Sequence, residues 1–225
     1  MREEVQMSTP RPRRPRSRRG EGDSLRQDIV TAANELIVER GTEVGLSLRA
    51  IARRTGVTPM TLYRHFESLE SIIDEVQRRH YVELAEALRI GVAQRDDQLA
   101  AFARTFVEYG VSNPGRFRLM FATPLDPARV RADDDPILGE PALQLLVDIM
   151  RAHVAQHRIE RDVWRAVTTL WATLHGIVHL RLTVGMRGAY AWPPLESQIS
   201  DALEPFAPIS SPSARLNETM SHPDP

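Results

Sequence analysis

The chain's 225 residues can form one or two domains, and its 42% content of hydrophobic residues is typical of a globular protein. It contains no cysteine, which excludes disulfide bonds, thiolate zinc sites and cysteine nucleophiles and is typical of a protein of the reducing cytosol. No apolar run reaches the ~20 residues of a membrane-spanning helix, and no apolar segment of a secretory signal follows the N-terminal arginines. We therefore expect a cytoplasmic protein with no membrane partner.

The net charge of −1 conceals an uneven distribution of charge along the chain. Residues 11–65 hold 12 arginines and 6 acidic residues, whereas residues 66–225 hold 16 arginines and 22 acidic residues. Every basic residue is arginine, which can make bidentate contacts with bases and phosphates. A basic first part followed by an acidic remainder indicates that only the first part meets a polyanion.

The two ends of the chain differ in composition from the part between them. Residues 1–22 are rich in arginine, proline, serine and glycine, and Pro10, Pro12 and Pro15 prevent a helix there. Residues 207–225 are poor in core-forming side chains. We predict a disordered arginine-rich arm at 1–22, domains at 23–68 and 69–206, and a disordered tail at 207–225.

The apolar spacing between the tails is helical throughout and shows no strand-like alternation, so the predicted fold class is all-α. Ser24 is the predicted N-cap of a first helix that ends at Gly41. The predicted N-caps of the next three helices are Ser47, Thr58 and Ser68. The long fourth helix joins a three-helix N-terminal domain to a helical C-terminal domain, whose helices are predicted at 97–112, 115–122, 137–157, 161–185 and 195–206.

The stretch SLRAIARRTGVTPMTLYRHF at 47–66 has the organisation of a helix-turn-helix. Two short helices are joined by Thr55, Gly56 and Val57, and a turn of this length with glycine lets the second helix cross the first steeply. The predicted buried side chains are Ile51, Val57, Leu62 and Phe66. The predicted exposed side chains at and after the second helix are Pro59, Met60, Thr61, Tyr63, Arg64 and His65.

These exposed residues place hydroxyls, an aromatic tip and cations around a helix N-terminus, as a helix that enters the major groove of DNA requires. Arg49 can donate two hydrogen bonds to O6 and N7 of guanine, and Met60 and Thr61 can contact thymine methyl groups. The pattern therefore predicts a double-stranded DNA partner. The alternative is that Leu62, Tyr63 and Phe66 only close a small helical core.

Residues 25–73 resemble the N-terminal domain of the TetR family of transcriptional regulators. The resemblance is carried by Ile29, Ala32, Ala33, Gly41, Ile51, Ala52, Gly56, Val57, the block Thr61-Leu62-Tyr63-Arg64-His65-Phe66, and the pair Ile72-Ile73. It implies an all-helical homodimer, a palindromic operator and a C-terminal domain controlled by a small molecule. By family position it implies base contacts for Arg49, Pro59, Met60 and Thr61 and phosphate contacts for Ser47, Tyr63 and His65, and we add the N-cap Thr58 to this candidate site.

The sequence departs from the family pattern at one position of this domain. Many members carry a lysine just inside the fourth helix, where it holds a phosphate, whereas this chain has Leu69 followed by Glu70. The cationic contact expected there is therefore missing. The arginine-rich arm at 11–19 is a candidate for an auxiliary grip on DNA.

The helix predicted at 161–185 contains TTLWATLHGIVHL, which is almost free of charge. A helix that is apolar on most sides is buried on most sides, so we expect it to pack on its own core and on a second subunit, together with the helix at 195–206. The segments RFRLMF (116–121) and Trp171…His175-Gly176 resemble a TetR C-terminal subtype marked by a Trp-His-Gly signature. The candidate effector pocket comprises Phe117, Met120, Met150, His153, Trp171 and His175, each of which could instead be ordinary core.

Two histidine pairs have a spacing that could hold a metal ion. His153 and His157, and likewise His175 and His179, are four residues apart on one predicted helix. No HExxH pattern occurs, and no carboxylate has ligand spacing to either pair. The acidic stretch at 133–135 lacks the glycine and distal glutamate of an EF-hand loop, so we expect a solvated loop there and neither a metal nor a cofactor.

The sequence is compatible with three classes of function to different degrees. The first is a repressor that a small-molecule effector releases from its operator, and the second is an activator or architectural DNA-binding protein whose C-terminal domain only dimerises. The third is an enzyme, against which the chain shows no Ser-His-Asp order, phosphate loop or nucleotide fingerprint. We expect the first, and no enzyme activity.

Overall fold

The computed structural model describes residues 21–121, 140–184 and 192–207. Within these ranges the chain is helical and contains no strand, which confirms the all-α prediction. The predicted arm up to residue 20, the tail from 208 and the acidic stretch at 133–135 lie outside the described residues. The helices are α1 (Glu21–Arg40), α2 (Leu48–Thr55), α3 (Pro59–Leu62), α4 (Leu69–Val92), α5 (Gln98–Ser112), α6 (Pro114–Phe121), α7 (Glu140–His157), α8 (Val163–Thr183) and α9 (Leu195–Leu203), after which Glu204–Phe206 form a 3-10 turn.

The helices form two compact units. The first unit contains α1 to α3, α4 as far as His80, and α6. The second unit contains α4 from Tyr81 onward, α5, and α7 to α9. The domain boundaries predicted from the sequence stay a prediction.

Local signals in the sequence fix the ends of α2, α3 and α4. Ser47 Oγ accepts a hydrogen bond from the amide of Ala50 at 3.2 Å, and Thr58 Oγ1 accepts one from the amide of Thr61 at 3.3 Å. Ser68 Oγ accepts one from the amide of Ser71 at 3.2 Å. Each hydroxyl satisfies an amide that the first turn of its helix leaves without a partner, so these three predicted N-caps are confirmed.

The predicted N-cap at Ser24 is wrong. Helix α1 begins at Glu21, so Ser24 lies inside the helix, and residues 21 and 22 belong to α1 rather than to the predicted arm. A carboxylate at Asp23 favours this earlier start because the N-terminal end of a helix attracts negative charge. At the other end α1 stops as predicted before Gly41, whose φ of +70° suits glycine.

The core of the first unit is built mainly from α1, α2, the α3 segment and α4. Ile29, Ile51, Leu62 and Ile72 are fully buried in it. Helix α6 adds Leu119 to the same core. The members of this core that are at least nine-tenths buried are Ile29, Val30, Ala32, Ala33, Leu36, Ile37, Leu46, Ala50, Ile51, Ala52, Leu62, Phe66, Ile72, Val76 and Leu119.

Helix α6 is attached to the first unit by a buried side chain as well as by packing. The side-chain amide of Gln77 donates hydrogen bonds to the carbonyls of Leu119 at 3.0 Å and Met120 at 3.2 Å. These carbonyls lie in the last turn of α6, where a helix leaves its acceptors without intrahelical donors. Gln77 therefore caps α6 from α4.

In the second unit α8 packs against α5 and α7 through one face. That face is buried and consists of Ala166, Val167, Leu170, Leu174, Val178 and Leu182. The opposite face is exposed and includes Thr169, Ala172, Thr173 and His179. Within one chain α8 is thus buried on the side that packs on its own core. The second subunit expected on its other side stays a prediction.

Helices α4 and α5 approach closely at Gly91, and we predict that Gly91→Ala destabilises the protein. A Cβ at this position would lie 2.2 Å from Oγ1 and 3.0 Å from Cβ of Thr105. Overpacking of this kind costs ~1–3 kcal/mol, and the better helix propensity of alanine offsets at most ~1 kcal/mol. Urea denaturation should show a net loss of ~1–2 kcal/mol in the free energy of unfolding. The loss should shrink in a Thr105→Ala background, and a Gly91→Ala protein as stable as the parent would contradict the close approach.

Candidate nucleic-acid interface

The orientation of α3 is set by a tight turn and two buried side chains. Gly56 adopts a φ of +73°, and the amide of Val57 donates a hydrogen bond to the carbonyl of Ala52 at 3.0 Å. Leu62 is fully buried and Phe66 is 6% exposed. Regular α-helix extends only over Pro59–Leu62, and residues 63–65 continue as turns, so one face of a very short helix is held inward and the other is presented outward.

The candidate contact residues lie on the outward side of α2 and α3. Met60 is 74% exposed and Tyr63 is 55% exposed, although both are large apolar or aromatic side chains. Thr61 and His65 are partly exposed. The exposed members of the predicted set are Ser47, Arg49, Thr58, Pro59, Met60 and Tyr63. The structure thus brings all eight candidate residues to the surface, and their contacts with DNA stay a prediction.

The hydroxyls of Ser47, Thr58 and Thr61 keep some of their hydrogen-bond donors. Thr58 Oγ1 and Thr61 Oγ1 lie 3.0 Å apart and share a hydrogen bond. A hydroxyl can accept two hydrogen bonds while it donates one. Ser47 Oγ, which accepts from the amide of Ala50, therefore retains a proton that it can donate, and the threonine pair retains one of its two protons.

The end of the helix-turn-helix is fixed by Arg26 of α1. Its guanidinium carbon lies 4.7 Å from the centre of the Phe66 ring, and its Nη2 donates a hydrogen bond to Glu75 at 2.9 Å. This hydrogen bond and the positive charge hold the pKa of the Glu75 carboxyl below its usual range. Arg26 therefore joins α1 to α4 and to the end of the helix-turn-helix segment at 47–66, which we term the reading segment.

Leu69, at the position where the family pattern has lysine, serves the core instead. It is partly buried and packs against the hydrophobic core of the first unit. A cation at this place would have to leave that contact. Packing in the core thus explains why this position holds leucine and not the lysine of the family pattern.

In the second unit, two of the predicted effector residues lie together. The rings of Trp171 and His175 have centroids 4.8 Å apart. Phe106 of α5 contacts both, at 5.1 Å from Trp171 and 5.0 Å from His175. Sequence reasoning missed Phe106, whose only signal is the helical spacing of apolar residues in α5.

The other predicted effector residues have different surroundings. Met150 is fully buried in the second unit, while Phe117 and Met120 are buried in the first. His153 Nε2 lies 2.8 Å from the carbonyl oxygen of Phe206, and since a carbonyl only accepts, this nitrogen carries the proton. Within the predicted set the structure shows a ring contact between Trp171 and His175, and the six-residue pocket stays a prediction.

Two features of the described residues bear on other kinds of site. No three histidine, aspartate or glutamate side chains in these ranges lie close enough together to hold a metal ion. None of the helices described is both long enough and apolar enough to cross a membrane.

The buried imidazole of His175 should make stability depend on pH. Burial lowers the pKa of His175 to about 4, from an ordinary value of 6.5. Between these values the unfolded chain binds a proton that the folded chain does not, so stability is lost as the pH falls through this window. We expect His175→Gln to flatten the decline in unfolding free energy between pH 6.5 and pH 4. Equal acid sensitivity of the His175→Gln and parent proteins would refute the assignment.

Comparisons with proteins of known sequence and structure agree with this architecture. A family model described as "Bacterial regulatory proteins, tetR family" matches residues 29–76, and one described as "Tetracyclin repressor-like, C-terminal domain" matches residues 99–198. The uncharacterized HTH-type transcriptional regulator YobS of Bacillus subtilis is 31% identical over 91 residues, which are 40% of this chain and 47% of YobS. The uncharacterized HTH-type transcriptional regulator Rv0681 of Mycobacterium tuberculosis is 26% identical over 160 residues, 70% of each chain. The chain therefore spans only about half the length of the first of these relatives.

Solved structures show the same fold. A protein of unknown function from Rhodococcus sp. RHA1 superimposes with a TM-score of 0.65 at 23% identity, over 81% of this chain and 93% of that one. A TetR family transcription regulator from Marinobacter aquaeolei VT8 superimposes with a TM-score of 0.56 at 17% identity, over 83% of this chain and 97% of that one. The two family models together match about two thirds of the residues, and the chain belongs to the TetR family of DNA-binding transcriptional regulators.

Proposed function

We propose that the protein is a repressor that binds a palindromic operator as a homodimer and is released by a small-molecule effector. The observation that carries the proposal is the outward face of residues 59–65, which is held in place by Leu62 and Phe66 on the other side. Met60 is 74% exposed and Tyr63 is 55% exposed on this face, so both side chains are available to contact a partner. Contact with DNA would cover both.

The proposed reading mechanism divides the residues into two groups. Pro59, Met60 and Thr61 lie on α3 or at its start and meet base edges in the major groove, and Arg49 of α2 reaches a guanine. Ser47, Tyr63 and His65 contact phosphates with hydroxyl or imidazole donors, while Thr58 holds the first turn of α3. A helix of four residues reads few bases, so two copies on two half-sites are needed for useful specificity.

The exposed face of α8 supports a homodimer. The hydroxyls of Thr168, Thr169, Thr173 and Thr183 each donate to the carbonyl four residues earlier, at 2.7–2.9 Å. Their polar atoms are thus satisfied within the helix, and their methyl groups are available for packing. Helix α9 packs beside α8 in the same unit. We propose that α8 and α9 form a four-helix interface with a second copy. The dimer would be associated with the nucleoid because it is bound to DNA.

The contact of Trp171, His175 and Phe106 supports the proposed effector site. An imidazole that burial keeps neutral at physiological pH can donate one hydrogen bond and accept another, which orients an otherwise apolar ligand. Effector binding would lower operator affinity through a coupling free energy between the two sites. An activator or architectural protein would lack this coupling, so a small molecule that raises the melting temperature without releasing DNA favours that alternative.

The DNA-reading role predicts a specific effect of Arg49→Ala. Selection of binding sites from random duplexes should yield an inverted repeat for the parent protein. Arg49→Ala should relax the preference at one position of each half-site and cost ~1–3 kcal/mol there, because one bidentate guanine contact is lost. Tyr63→Phe is the matched control, and it should weaken all duplexes by the same factor. A parent protein that selects no sequence would exclude the proposed function.

The dimer interface predicts a specific effect of Gly176→Leu. A Cβ at Gly176 meets no atom of the described residues within 4 Å, so a larger side chain can be placed there without a clash in this part of the chain. Across a helix–helix interface it would cost ~1–3 kcal/mol and raise the dimer dissociation constant about tenfold or more. Sedimentation equilibrium measures this constant, with Ala152→Leu on the exposed side of α7 as the control. Unchanged association of a folded Gly176→Leu protein would move the interface away from α8.

A further inference from the structure

The four arginines of residues 47–66 differ in what surrounds them. This stretch contains Arg49, Arg53, Arg54 and Arg64 and no acidic residue. Arg54 is neutralised from α1, since its Nη2 lies 2.7 Å from Glu39 and its Nη1 lies 3.0 Å from Glu35. Arg54 is therefore a structural residue that joins α2 to α1.

The other three guanidinium groups are exposed and have no hydrogen-bond or ion-pair partner in the described part of the chain. Elsewhere in the first unit Arg26, Arg40, Arg78 and Arg79 bind carboxylates, a carbonyl or a hydroxyl of the protein. The unpartnered charges thus include three of the four arginines in the reading segment. Exposed cations that are grouped without acidic neighbours create a positive potential that attracts a polyanion.

Arg53 and Arg49 add a second argument. They are four residues apart on α2 and so lie on one face of it, where like charges repel. Arg49 also lies in the first turn, where the helix dipole disfavours a cation. The helix contains no carboxylate that would offset either effect. A polyanion held along this face would relieve both.

We propose that Arg53 and Arg64 bind phosphates of the DNA backbone and replace the cationic contact that Leu69 has given up to the core. The proposal rests on the proposed DNA-reading function and assigns it two residues outside the set derived from the family pattern. Each guanidinium donates two hydrogen bonds to non-bridging phosphate oxygens, so the contacts add affinity without sequence preference. Arg49 remains the base-reading arginine of α2.

The test is the salt dependence of binding, measured with full-length protein on a selected operator duplex and on an unrelated duplex. Arg53→Ala and Arg64→Ala should each remove one phosphate contact per subunit, which reduces the slope of log affinity against log salt by ~0.9 per half-site and ~1.8 for the dimer. Both should weaken the two duplexes by the same factor, so that the specificity ratio is unchanged. Arg53→Lys and Arg64→Lys should restore the slope because they keep the charge. Arg54→Ala, next to Arg53 but paired with α1, should leave the slope unchanged.

Several results would overturn the proposal. An unchanged slope for Arg53→Ala or for Arg64→Ala removes the phosphate role of that residue. A lower melting temperature with an unchanged slope would make Arg53 a residue that only stabilises the last turn of α2. Deletion of residues 1–20 that flattens the slope while both alanine variants keep it would place the grip in the arginine arm. A parent protein that fails to bind the operator contradicts the proposed function itself, which separates the two failures.

Discussion

The burial of Leu62 and Phe66 is the constraint on which the proposed function depends. Helix α3 has a single regular turn, which is too short to hold a direction by itself. Its direction comes from Leu62 in the core with Ile51, and from Phe66 beneath the guanidinium of Arg26. Because these two side chains point inward, the polar and exposed residues between and before them point outward. The chemistry offered to DNA is thus a consequence of core packing.

Packing and ion pairing within the first unit explain why neighbouring residues have different roles. Leu69 lies where a phosphate-binding cation is common in the family, and here it extends the core. Arg54 is tied to α1 by two carboxylates, while its neighbour Arg53 has no such partner among the described residues. A segment far along the chain completes the unit, since Gln77 holds the last carbonyls of α6 and Leu119 enters the core. Within this one unit, some residues therefore stabilise the fold while their neighbours are available for recognition.

Local signals in the sequence predicted the helices and the reading segment well. The N-caps Ser47, Thr58 and Ser68 and the turn at Gly56 act within three or four residues, so their roles can be read without a fold. The signal at Ser24 was misleading because the helix already begins at Glu21, before this good capping residue. The place of α6 in the first unit and the contact of Phe106 with Trp171 and His175 depend on residues tens of positions apart, which periodicity cannot pair. The apolar composition of α8 did not show which of its faces is exposed in one chain. Threonine hydroxyls on that face bond back to carbonyls of the helix, so these residues behave as apolar ones.

We propose that the outward face of residues 47–65 reads DNA as one half of a symmetric dimer. Hydroxyl-radical footprinting of the protein on a selected operator tests this most directly, because it maps protected sugars along each strand. Two symmetric protected patches are expected on one side of the duplex, with centres about 10 base pairs or a small multiple apart. A single protected patch, or uniform protection without a boundary, would contradict it.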